Sequence, residues 1–278
     1  MTNNKPDLTL VLGGTGKTGS RVAARLTELG RAVRIGSRSG VPPFDWDDRT
    51  TWVPALTGAT SAYITYYPDL AFPGASDVIG DFARTAIEHG VRRLVLLSGR
   101  GEKGAQKSEQ ALKDSGADWT IVSCAFFAQN FDEGFMADDI RAGEFALPAG
   151  DVREPVLHID DIADVAVAAL AEPGHVGQVY EMTGPRLMTF TEIAAELSEA
   201  AGYPVRYVPI TVDEFAAGMK QAGLPDDFAD GLAGVFSEIM DGHNSYLTDG
   251  VQRALGRAPR DFSEYLRTAA ATGVWRRD

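Results

Sequence analysis

The stretch Leu8-Thr-Leu-Val-Leu-Gly-Gly-Thr-Gly-Lys-Thr-Gly19, running on into Ser20-Arg-Val-Ala-Ala-Arg-Leu-Thr-Glu-Leu29, decides the fold. Leu8 to Leu12 is a short, nearly continuous apolar run of the kind that forms a strand buried on both faces. From Ser20 the pattern changes period: Val22, Leu26 and Leu29 fall on one helical face, and Gly30 closes the helix. Between strand and helix, Gly13, Gly16 and Gly19 form a G-x-x-G-x-x-G pattern around Thr15, Lys17 and Thr18. In a chain with 30 glycines the pattern alone is weak. Its place in a strand-turn-helix unit gives it weight, because the helix N-terminus and the loop N–H groups then face one point and suit an anion. Side chains at the glycines would obstruct both the tight turn and the approach of a pyrophosphate. The bland alternative is a glycine-rich turn without a ligand. A Walker loop is excluded, since its first glycine would fall on Val11.

Outward from this unit, further strands are expected at Ala32–Gly36, Thr51–Val53, Ser61–Thr65, Leu94–Leu97 and Thr120–Ser123, with helices at about Ser76–His89 and Lys107–Ser115. That alternation predicts an α/β fold: a Rossmann-type doubly wound parallel sheet with right-handed crossovers. Beyond Gly150 the reading is a strand-like Val156–Ile159, a helix Asp160–Ala171, a strand Val179–Thr183 and mainly helical segments from Thr189. Residues 1–150 are expected to form a nucleotide-binding domain, and 151–278 a smaller, mainly helical C-terminal lobe. The strands near 156 and 180 are alternatively able to return to the main sheet.

Composition narrows the function. A net charge of −13 repels nucleic acid and anionic lipid, and no apolar run approaches the ~20 residues of a membrane span. The polar start of the chain carries no signal-peptide core, so a cytoplasmic location is expected. Cys124 stands alone, and His89, His158, His175 and His243 are too scattered for a metal site.

The second strand chooses the dinucleotide. An acid at its end would bond a ribose 2′-hydroxyl and repel a 2′-phosphate, and no Asp or Glu occurs between Leu29 and Phe44. Ser37 and Arg38 occupy that strand end instead. Arg38 suits a 2′-phosphate, with Lys17 able to approach from the other side, so NADP(H) is expected over NAD. Asp45 and Trp46 are placed beside the adenine, though a turn aspartate and a core tryptophan are an equal reading. Arg38 has its own bland reading, an ordinary solvated cation.

Several segments resemble the NmrA-like atypical short-chain dehydrogenase/reductase family: Val11–Gly19, Gly90-Val-Arg-Arg-Leu-Val-Leu-Leu-Ser98, Glu109-Gln-Ala-Leu-Lys-Asp-Ser-Gly116 with Trp119-Thr-Ile-Val122, and Phe127-Ala-Gln-Asn130. Ser37-Arg-Ser39 followed by Phe44-Asp-Trp46 is similar to the agroclavine and festuclavine dehydrogenase type within it. The resemblance implies a Rossmann domain, an NADP site on the glycine loop and Arg38, and a substrate cleft between the sheet edge and the C-terminal lobe. His158-Ile-Asp-Asp-Ile-Ala163 and Tyr180-Glu-Met-Thr-Gly184 are similar to its later landmarks. Ser123-Cys124 departs from the Arg-Pro that relatives often carry, which alters the wall beside the nicotinamide.

Ordinary short-chain dehydrogenases use a Tyr-x-x-x-Lys pair as proton donor. None of the eight tyrosines here has a lysine four places on. Hydride transfer to a small acceptor that needs little acid help, a quinone, a flavin-like ring or an iminium, therefore fits better. Ser98 and Gly99 end the Leu94–Leu97 strand, where ligands of open sheets bind, and Ser98 is the candidate catalytic contact; a capping serine is an equal reading. Thr65 and Tyr66 sit at the neighbouring strand end and are assigned to the cofactor. Tyr67, Cys124, Phe126, Phe127, Asn130 and Phe131, with Phe135 and Met136 nearby, are candidates for the acceptor pocket, against a plain core reading of the aromatics. Without an adjacent histidine, Cys124 reads as a structural thiol more readily than as a nucleophile. The expected partner is a small-molecule hydride acceptor, bound by a monomer or homodimer. The rival reading is a non-catalytic NADP(H)-binding redox sensor.

Overall fold

The computed structural model describes residues 7–134 and 136–277. Along the chain run β1 (Leu8–Leu12), α1 (Lys17–Glu28), β2 (Ala32–Gly36), α2 (Trp52–Leu56), β3 (Ser61–Ile64), α3 (Ala75–Glu88), β4 (Arg93–Gly99), α4 (Lys103–Lys113) and β5 (Asp118–Cys124). There follow α5 (Met136–Ala142), β6 (Glu144–Leu147), β7 (Arg153–Glu154), α6 (Ile159–Ala171), β8 (Gln178–Met182), β9 (Met188–Thr189) and α7 (Phe190–Ala201). The last elements are β10 (Arg206–Pro209), α8 (Val212–Gln221), α9 (Asp226–Ile239), α10 (Gly250–Leu255) and α11 (Phe262–Thr272).

Among the described residues the main sheet has six parallel strands in the order β2-β1-β3-β4-β5-β8. The order reverses at β1, where β2 lies on one side and β3 on the other. Strand alternation divides the core: Leu10 and Leu12 face α2, α3 and α4, while Val11 faces α1, α6 and α10. A third core, built on Phe131, Phe145, Phe190, Phe236 and Trp275, belongs to the C-terminal lobe. Two small ladders, β6 with β10 and β7 with β9, lie in that lobe.

The lobe is clasped to the sheet layer by two carboxylates of α6, Asp161 and Asp164, which share Arg257 and Arg260. Asp161 on α6 is fully buried and holds Arg257 Nη2 at 2.7 Å, the Arg260 guanidinium, and the Arg260 backbone N–H at 2.7 Å. Two cations and an N–H donor offset the cost of burying that charge.

Two expected strands are corrected. Thr51–Val53 lies in a 3-10 turn leading into α2: Asp48 caps it by accepting from Thr50 N, and Pro54 sits in the first helical turn, where its missing N–H costs nothing. The β-branched run Thr-Thr-Trp-Val mimicked a strand. Val156–Ile159 forms only a single bridge, Leu157 to Phe127, before His158 accepts from Asp160 N and starts α6. The strand near 180 pairs with β5 and extends the main sheet. Phe135 lies outside the described residues.

Candidate functional site

The carboxyl ends of β1 to β5 open into two adjoining cavities. The larger, about 740 Å³, runs along the glycine loop and is lined by Gly13, Thr15, Gly16, Lys17, Thr18, Ser37, Arg38, Asp45, Trp46, Thr65, Tyr66 and Tyr67. The smaller, about 270 Å³, lies under the C-terminal lobe. Tyr66, Leu97 and Phe127 line both.

The glycine loop is tight because its glycines are packed. Gly13 has φ +62°, and a Cβ there would lie 2.2 Å from Thr65 Oγ1, whose hydroxyl donates to Leu12 O. A Cβ on Gly19 would lie 2.3 Å from Gly13 O. Gly19 therefore lets α1 seat against the loop from behind, and it does not line the cavity, a correction to its expected contact. Helix α1 starts at Lys17 with no side-chain cap and no acid in its first turn, so its N-terminal N–H groups present positive potential to the cavity. These residues fit a dinucleotide diphosphate.

At the β2 end the three arginines separate. Arg34 donates to Ala55 O and Thr57 O, both at 2.7 Å, and Arg31 to Ala171 O at 2.9 Å. Arg38 is exposed and has no salt bridge among the described residues. Lys17 does not approach it from the other side. Its ammonium reaches the turn Ala128–Phe131 and donates to Asn130 Oδ1 at 2.9 Å, and burial holds its pKa down against the charges of Glu133 and Asp132. Trp46 borders the cavity as part of a cluster with Phe44, Trp52, Tyr66 and Phe82, its indole N–H bonded to Thr65 O at 3.1 Å.

Ser98 and Gly99 line the smaller cavity instead of the cofactor cleft, because β4 runs on to Gly99 and turns under the lobe. Ser98 is 4% exposed and its hydroxyl donates to Glu109 Oε1 at 2.7 Å, so its proton is engaged away from the cavity. Cys124, Phe126, Phe127 and Asn130 come together in the lining of the smaller cavity. Burial pushes the Cys124 thiol well above its ordinary range, which disfavours the thiolate. Tyr67 lines the larger cavity, 72% exposed and stacked near Phe228, and is not part of the acceptor pocket. Phe131 is fully buried in the lobe core, edge-on to Phe145 and Phe262, and touches neither cavity.

The smaller cavity also holds residues that the sequence reading passed over: Asp69, Glu102 and Glu154 on one side, Leu232, Phe236 and Ile239 of α9 on the other. Glu154 accepts from Phe126 N at 3.2 Å and is pushed up to about 7 by burial. The signal for Glu102 was available, since Ser98-Gly-Arg-Gly-Glu102 prolongs a strand already placed at the ligand edge. Glu154 and α9 reach the cavity only through the tertiary fold. Among the described residues no group of His, Cys, Asp and Glu could hold a metal, and no helix is long and apolar enough to cross a membrane.

No family model matches the chain. It is 33% identical over 287 residues to an NAD(P)H azoreductase of Xenophilus azovorans, covering 94% of this chain and 98% of that protein. It is 30% identical over 275 residues to the agroclavine dehydrogenase of Claviceps fusiformis, covering 92% and 95%. Its fold matches an Escherichia coli NADPH-dependent quinone oxidoreductase complexed with NADPH at a TM-score of 0.78 and 22% identity, covering 94% and 99%. The chain belongs to the NmrA-like atypical short-chain dehydrogenase/reductase family of oxidoreductases.

Proposed function

We propose that this protein is an NADPH-dependent oxidoreductase that passes hydride to a small conjugated acceptor, quinone-like, azo or iminium, seated in the smaller cavity. The observation that carries the reading is the wall shared by the two cavities: ligands in each would meet at Tyr66, Leu97 and Phe127. Gly13 to Thr18 and the α1 N-terminus would hold the diphosphate, Ser37 and Arg38 the 2′-phosphate, and Tyr66 and Phe127 the boundary with the acceptor. The reduced nicotinamide supplies a hydride when bound. The protein's part is placement and exclusion of water: Phe126, Phe127, Leu232 and Phe236 give the acceptor an apolar, largely preformed chamber. The names of the azoreductase and agroclavine dehydrogenase relatives support acceptors of the conjugated nitrogen-containing class. A lone buried cysteine suits the reducing cytoplasm.

The test is anaerobic NADPH consumption against quinones, azo dyes and cyclic iminium compounds, run beside a direct NADPH binding titration. Turnover above a glycine-loop variant on any of them supports the enzyme and identifies its acceptor. Tight binding without turnover on all of them would make the protein an NADP(H)-responsive sensor.

A further inference from the structure

We propose that Asp69 and Glu102 form a carboxyl pair that keeps one proton at the wall of the smaller cavity and delivers it from Glu102 to the acceptor, taking the place of the missing Tyr-x-x-x-Lys pair. The proposal rests on the hydride-transfer reading above.

Glu102 occupies the N-cap position of α4 but caps nothing. Its carboxyl folds back over the end of β4 so closely that a Cβ on Gly99 would lie 2.0 Å from Oε1. The residue is 7% exposed, lines the cavity, and its Oε2 is buried with no hydrogen-bond partner among the described residues. An ionised carboxylate in that position would be left without a donor, at a cost of several kcal/mol. Asp69, on the loop between β3 and α3, lines the same wall and accepts from Ala71 N at 2.7 Å.

The other groups facing Glu102 do not supply positive charge. Glu109 of α4 is occupied by Ser98, Glu238 of α9 by Lys103 at 3.4 Å, and Cys124 of β5 is a neutral thiol. The nearby Arg100 is committed to Glu181 at 2.6 Å, Asn244 O at 2.7 Å and Tyr246 O at 3.1 Å. Two carboxyls that share a hydrogen bond in one buried wall do not readily both ionise. Burial first, and then the Asp69 charge, push Glu102 up to about 9, while Asp69 is itself raised. Glu102 thus keeps its proton at neutral pH, with the acceptor as its nearest outlet.

The step balances. Hydride adds to one end of the acceptor's double bond, and the π pair moves to the far heteroatom. That pair takes the proton as the Glu102 O–H bond breaks. The oxidised cofactor, the reduced acceptor and one more carboxylate remain, and water at the cavity mouth returns a proton before the next turnover. An iminium, already carrying its positive charge, needs no such proton.

The experiment uses the full chain and its Glu102→Gln and Asp69→Asn variants. Infrared difference spectra at mildly alkaline pH, above the value of about 7 to which Glu154 is raised, should show the carbonyl band of a protonated carboxylic acid in the wild type that is absent in Glu102→Gln, with NADPH affinity retained as evidence of folding. Single-turnover oxidation of NADPH should slow about a hundredfold on a quinone in Glu102→Gln and less than tenfold on a preformed iminium. Asp69→Asn should shift the alkaline limb of the quinone pH profile to lower pH, because the neighbouring charge that raises Glu102 is gone. Equal losses on both acceptors, or no acid band in the wild type, overturn the carboxyl pair and leave hydride transfer standing. A wild type that binds NADPH but oxidises it with neither acceptor overturns both readings.

Discussion

Lys17 Nζ donates to Asn130 Oδ1 across 2.9 Å, tying the first residue of α1 to the turn that roofs the junction of the two cavities. The start of α1 and the wall of the smaller cavity are therefore joined by a charged hydrogen bond, beside the Arg21–Glu133 ion pair one turn along. Asn130→Ala frees the ammonium and loosens the turn, which Arg21 still holds through Glu133. NADPH affinity should fall several-fold, on the order of 1–2 kcal/mol, and the acceptor KM should rise with it. Parallel binding titrations and steady-state kinetics read both quantities; a change in neither would show that the bond is incidental to the site.

Arg38 is the arginine at the β2 end that no backbone carbonyl or carboxylate holds among the described residues. Arg38→Ala should weaken NADPH binding tenfold or more, about 1.4 kcal/mol, and leave NADH binding nearly unchanged. Titrating both nucleotides against both proteins checks this. Equal losses would remove the 2′-phosphate from Arg38.

Two glycines separate packing from propensity. Gly19→Ala drives a methyl into Gly13 O and should cost about 1–3 kcal/mol of stability together with most NADPH binding. Gly218 on α8 has open space at its Cβ position, so Gly218→Ala should raise stability by about 0.5–1 kcal/mol. Urea denaturation of the two variants should move in opposite directions.

Asp161 is the fully buried member of the clasp with Arg257 and Arg260. Asp161→Ala leaves the Arg260 N–H without its acceptor and both guanidinium groups with Asp164 as their remaining shared carboxylate, and should destabilise the fold by about 2–3 kcal/mol. Chemical denaturation measures it, and a loss below about 1 kcal/mol would mean that solvent reaches the cluster.

The Glu102 carboxyl makes stability pH-dependent. Burial and the Asp69 charge hold it far above its ordinary value in the folded chain, so from the ordinary carboxylate range upward the folded state binds the extra proton. Stability then falls as pH rises, by at most about 1.4 kcal/mol per unit, until the folded group has itself ionised. Glu102→Gln should flatten the alkaline part of that decline and be more stable than the wild type at mildly basic pH. Glu154, raised to about 7, and Asp132, raised to about 6, add slopes of the same sign nearer neutrality that survive in the variant. Denaturation midpoints across the neutral to alkaline range provide the check.

The larger cavity was legible because most of it is local. Gly13, Thr15 to Thr18, Ser37, Arg38, Thr65 and Tyr66 follow strand ends whose buried runs stand out in the sequence, and with Asp45 and Trp46 they line one cavity. The smaller cavity was half legible. Phe126 and Asn130 lie in it, but Phe131, one residue beyond Asn130, turns into the lobe core because the 3-10 turn rotates it there. Aromatic content alone cannot tell pocket from core. Nothing local marks Glu102 as buried, since the residues that share its cavity wall, Asp69 and those of α9, lie far away in sequence. Thr51–Val53 failed for the opposite reason, since local capping by Asp48 outweighed β-branched propensity.

The division of labour between the two cavities has a consequence for engineered variants. Residues that line the nucleotide cleft alone fall between Gly13 and Pro68, whereas the far wall of the acceptor chamber is drawn from α9 and the turn at Asn244. On the proposed function, a change confined to the cavity-facing residues of 232–244 would alter the acceptor wall without touching the nucleotide cleft, and chimeras exchanging that stretch should trade acceptor preference at constant NADPH affinity.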